Sequence, residues 1–84
     1  MKPLRLTAHA EARLARRALE PAWIERTVHE PQWREPDPSD PAVERRFRRI
    51  DEAGGRILRV ACVETVADIR VITAMFDRNA KARP

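Results

Sequence analysis

Apolar and charged residues alternate along 43–50, 56–64 and 69–76, whereas apolar residues recur every three or four positions along 8–18 and 21–29. The first period is that of a pleated strand, the second that of an amphipathic helix. Helices first and consecutive strands afterwards predict one α+β domain: an N-terminal helix hairpin packed on one face of an antiparallel sheet of three to four strands. The expected layout is a hairpin at about 8–29, a proline-rich loop at 30–42, a meander at 43–76 and a short polar tail at 77–84, with Leu4, Arg5 and Leu6 as a brief leading strand.

Thr7 is placed to cap the first helix, and Ala10, Leu14 and Ala18 fall on one side of it. His9, Arg13, Arg16 and Arg17 share an arc of roughly 100° beside that stripe. Pro21 suits the first position of the second helix, where its missing N–H costs nothing. Trp23, Ile24, Thr27 and Val28 give that helix an apolar face, and Pro31 stops it.

The segment from Glu30 to Pro41 contains Pro31, Pro36, Pro38 and Pro41 and reads as a loop. Trp33 is its one large apolar residue, so the loop is a fixed flap if Trp33 docks on the sheet and a contact surface if it does not. Arg45, Arg46, Arg48 and Arg49 crowd the first meander strand, a charge density that suits a sheet edge. Gly54 and Gly55 then supply a hairpin turn. The next strand is apolar on both faces, with Leu58, Val60 and Cys62 on one and Ile57, Ala61 and Val63 on the other. Two helices cover only one face of such a sheet, so the reverse face needs a cover: the loop, the tail, a second copy or another protein.

Composition sharpens this picture in one respect. Lysine and arginine total 17 against 13 acidic residues, for a net charge of +4, and only Lys2 and Lys81 are lysines. Arginine pairs bidentately with phosphate and stacks on bases, which suits a nucleic-acid partner. A GC-rich genome produces the same bias. Cys62 is alone, and two distant histidines with one buried cysteine supply no tetrahedral zinc set, so neither a metal nor a cofactor is expected. No signal-type core and no run of about 18 apolar residues occurs, which points to the cytoplasm and away from the membrane.

The candidate chemistry centres on His9, with Arg13 and Arg17 following at four-residue steps. A neutral imidazole there would accept a proton from a ribose 2′-hydroxyl while the arginines hold the phosphate, which suffices for a metal-free ribonuclease. The competing reading has His9 tethering the helix and Arg13 and Arg17 paired with acids such as Glu20 or Asp51. His29, with Glu25 four residues before it, suits a helix C-terminus. For nucleic-acid binding, Arg46, Arg48, Arg59 and Arg70 are the candidates, as a basic sheet surface able to neutralise phosphates.

Thr7-His9-Ala10, Arg13, the Gly55-Arg56 start of the second strand and Val71-Ile72-Thr73-Ala74 together resemble the bacterial family called domain of unknown function 4258, from about Leu6 to Phe76. That family looks related to the RelE/ParE toxin superfamily, which includes the BrnT toxins. The resemblance implies helices packed on an antiparallel sheet and a toxin-like ancestry. Many members of that superfamily cleave messenger RNA, often on the ribosome, some act on DNA gyrase, and most are neutralised by a small antitoxin. The chain departs from the better-known toxins in lacking tyrosine and in its proline-rich segment. Two functions are therefore expected in parallel: a metal-free endoribonuclease of a toxin–antitoxin pair, or a non-catalytic interaction module, with an antitoxin, RNA or the ribosome, or a second copy as partner.

Overall fold

The computed structural model describes residues 1–80. In chain order the elements are β1 (Leu4–Leu6), α1 (Ala8–Arg17), α2 (Pro21–His29), β2 (Trp33–Pro36), β3 (Glu44–Ile50), β4 (Arg56–Glu64) and β5 (Ile69–Phe76). Helix α1 starts where Thr7 Oγ1 accepts a 3.1 Å hydrogen bond from the Ala10 amide, satisfying one of the free N–H groups of the first turn. It ends where Ala18 turns left-handed at φ 53°, and the Leu19 amide donates back to the Leu14 carbonyl at 3.0 Å. Pro21 opens α2, and within it the Thr27 hydroxyl donates to the Trp23 carbonyl at 2.8 Å.

The sheet has five strands in the order β1-β5-β4-β3-β2 and is mixed, not antiparallel throughout. Strand β1 pairs parallel with β5, Leu4 opposite Ile69 and Leu6 opposite Val71, so the first and last strands meet in one ladder. The proline-rich stretch is not simply a loop. Trp33 to Pro36 pair antiparallel with Phe47 to Glu44, which makes β2 the edge and moves the arginine-rich β3 inside the sheet. Proline is tolerated because an edge strand has one side with no ladder to feed. The remaining connection is a tight turn in which Asp37 Oδ1 accepts from the Ser39 and Asp40 amides, at 2.8 and 3.2 Å.

The hydrophobic core lies between the helices and one sheet face. Ala10, Leu14, Leu19, Ile24 and Val28 descend onto Ile50, Leu58, Val60, Cys62, Val71 and Ala74. The reverse face is covered in part by the chain itself: the Trp33 ring stacks on Phe47 at 4.8 Å with planes 6° apart, leaving Phe47 only 3% exposed. Trp33 is thus the docked residue of a fixed flap, supplied as a strand. Beyond β5, residues 77–80 fold back as a turn in which Asp77 Oδ1 accepts from the Asn79 and Ala80 amides. The rest of the expected tail lies outside the described residues.

Candidate nucleic-acid interface

Strand register decides which arginines share a surface. Phe47 stands opposite Arg59, and Arg59 opposite Met75, so these side chains occupy one row of the reverse face with Trp33. Arg46 pairs with Val60 and Arg48 with Leu58, which turns both toward the helices. The expected set of Arg46, Arg48, Arg59 and Arg70 is therefore divided between two sides of the sheet. Arg46 is 3% exposed, held by Glu44 at 2.7 Å, Glu64 at 2.8 Å and the Val28 carbonyl at 2.8 Å. Burial opposes its charge, and the hydrogen bonds to Glu64 and Glu44 more than restore it. Arg48 Nη1 donates to the Glu30 carbonyl.

Most of the remaining arginines are neutralised where they stand. Arg45 meets Asp37, Arg49 meets Asp51, Arg26 meets Glu52, and Arg5 and Arg70 both approach Asp68. Asp51 is thus engaged by Arg49 and not by the arginines of α1. Arg59 contacts Asp77 Oδ2 at 2.9 Å and Met75 Sδ at 2.8 Å.

Among the described residues, Arg13, Arg16, Arg17, Arg56 and Arg78 have no carboxylate within 4.0 Å. Arg17, Arg56 and Arg78 line one cleft of about 430 Å³ together with Leu19, Met75 and Phe76. Arg17 Nη1 donates to the Ala74 carbonyl at 2.8 Å, which pins the end of α1 to β5. Its guanidinium is pushed below its ordinary value by burial and then by the charges of Arg13, Arg16 and Arg59, of which Arg59 is paired, with Asp77. Such a corner is primed for an anion.

Neither Arg56 nor Arg78 is among the binding residues expected from the sequence, yet a signal for them existed. In an antiparallel hairpin the first residue of one strand meets the end of the next, and the Asp77 amide indeed donates to the Ile57 carbonyl at 2.9 Å. Arg56 also lies over the Phe76 ring, 4.0 Å from its centroid, and Trp23 meets the same ring at 6.0 Å.

The other candidates fall elsewhere. His9 is exposed in the first turn of α1 and forms no hydrogen bond or ion pair among the described residues. Arg13 follows it by roughly 6 Å along the helix axis and Arg17 by roughly 12 Å. Arg70 sits toward the opposite end of β5 from Phe76, roughly 20 Å away along the strand. No group of three or more His, Cys, Asp and Glu that would hold a metal occurs among the described residues. No described helix is long and apolar enough to cross a membrane. Burial raises the Cys62 thiol above its ordinary value and suits it to packing.

No curated protein and no solved structure matches this chain. A family model does match, over residues 6–76, a span from β1 to the last residue of β5, and the chain belongs to that family, described as a domain of unknown function, DUF4258.

Proposed function

We propose that this protein is a toxin-like RNA-binding domain that grips the phosphate backbone at the corner formed by the end of α1, the start of β4 and the end of β5. The observation that supports this reading is the gathering of Arg13, Arg16, Arg17, Arg56 and Arg78 without a carboxylate partner, on a molecule whose other surface arginines are mostly paired. Five uncompensated guanidinium groups repel one another unless an anion joins them, and a polyanion satisfies several at once.

Metal-free cleavage is the chemistry this reading assigns to the site. The ribose 2′-oxygen attacks the adjacent phosphorus, the bond to the 5′-oxygen breaks, and the products are a 2′,3′-cyclic phosphate and a 5′-hydroxyl. His9 takes the 2′-hydroxyl proton and returns it to the leaving 5′-oxygen, Arg13, one turn along the helix, meets the charge that grows on the phosphoryl oxygens, and Arg17, a further turn away at the corner, holds the strand. Inducible expression with a growth readout tests the whole reading, with His9→Ala as the variant for the proton transfer. Growth inhibition by the unaltered chain that His9→Ala abolishes, with the fold intact by circular dichroism, is the expected result. An unaltered chain that neither slows growth nor binds RNA at low salt would favour the interaction module.

A further inference from the structure

Two clefts flank a single wall at the arginine corner. The first, of about 430 Å³, is lined by Arg17, Leu19 and Met75 and by the wall residues Arg56, Phe76 and Arg78. The second, of about 310 Å³, opens on the other side of that wall between Gly55, Ile57 and Asp77. Both are of the size that takes a small planar ligand. The wall is built on Phe76: Trp23 meets its ring at 6.0 Å with planes tilted by 57°, and the guanidinium carbon of the exposed Arg56, whose Nε donates to the Ala53 carbonyl, lies 4.0 Å from its centroid. A guanidinium held over an aromatic ring can still meet a further planar group on its exposed side.

We infer that these two clefts receive consecutive unpaired bases of single-stranded RNA, with the phosphate that joins them held by Arg56 and Arg78. This rests on the RNA-binding reading above and adds a substrate class to it: splayed single strands, because a base inside a duplex has both faces already covered. The half-buried Met75 in the first cleft and Phe76 between the two offer apolar surface that suits base faces, whereas charge alone would call for arginines only.

The test compares an oligoadenylate octamer with an abasic ribose-phosphate octamer of equal charge, by fluorescence anisotropy with the full chain at about 50 mM salt. The oligoadenylate is expected to bind at least about tenfold more tightly, the increment that base stacking supplies. Arg56→Lys keeps the charge and removes the flat surface. It should weaken oligoadenylate binding several-fold more than abasic binding and so erase most of the preference for bases, with an unchanged melting temperature confirming the fold. Equal, salt-dependent binding of both octamers would overturn the base clefts and leave the RNA-binding reading standing. Failure of both octamers to bind would remove that reading as well. Competition by polyglutamate as effective as that by oligoadenylate would replace the inferred ligand with an acidic protein segment.

Discussion

Nη1 of Arg46 donates a 2.8 Å hydrogen bond to the carbonyl of Val28. That carbonyl belongs to the last turn of α2, where the helix leaves its oxygens without internal partners, and the cation stands at the negative end of the helix dipole. One buried arginine thus joins the second helix to the middle of the sheet and, through Glu64, to the first residues of the chain. Arg46→Ala should cost about 2–4 kcal/mol by urea denaturation, from the void and the orphaned acceptor together. Arg46→Met, which fills the space, should cost less than Arg46→Ala. Equal losses would mean that the void contributes nothing.

Stability should fall in acid through two carboxylates. Hydrogen bonds from Lys2 and Arg46 hold Glu64 down to about 2, and Arg26 holds Glu52 down to about 2, both from an ordinary 4.5. The unfolded chain therefore takes up these protons first as pH drops, so the stabilisation is complete above 4.5 and is lost as pH falls toward about 2. Thermal melts should be nearly flat from neutral pH to about 5 and then decline. The double variant Glu52→Gln with Glu64→Gln should decline less. A wild-type melting temperature unchanged at about pH 2.5 would contradict the pairing.

Among the described residues, one non-glycine position has a left-handed backbone. Ala18 holds φ at 53°, where a Cβ crowds the following carbonyl. Ala18→Gly should raise stability by about 1 kcal/mol. In the β3–β4 turn the reverse exchange should hurt, since Gly54 and Gly55 have φ of 72° and 78°. A Cβ on Gly55 would come within 2.6 Å of Arg49 Nη2, but that is the free end of a flexible side chain and can move. Gly54→Ala and Gly55→Ala should consequently lose similar amounts, about 1–2 kcal/mol each. A much larger loss at Gly55 would show that Arg49 is held rigidly by Asp51.

RNA affinity should depend steeply on salt. If about four of the corner arginines each neutralise one phosphate, the slope of log K against log salt should be near −3 for a single strand. Arg17→Gln and Arg56→Gln should each reduce its magnitude by roughly 0.7. Arg26→Gln, whose parent side chain is committed to Glu52, should leave the slope alone. A slope that Arg26→Gln changes as much as Arg56→Gln does would place the contact elsewhere.

The helices, the three long strands and the glycine turn were readable from the chain because periodicity, caps and turn residues act within a few positions. Thr7, Pro21, Gly54 and Gly55 stand where such local rules put them. The period-two alternation of β3 also sorts its arginines, Arg45 and Arg49 with Phe47, Arg46 and Arg48 with Ile50. Strand β2 was hidden because its four residues lie among prolines, and only a neighbour already in place makes so short a piece a strand.

Local pattern determined what each segment is, β2 excepted; long-range pairing decided what each charge does. Lys2 reaches Glu64 across 62 residues and Arg17 reaches Ala74 across 57, separations over which composition and spacing carry no information. Register placed Arg59 on one side of the sheet and Arg46 on the other, and it brought Arg56 and Arg78 beside Arg17. An arginine is a phosphate ligand only where no carboxylate has reached it first, and that depends on which backbones lie alongside one another.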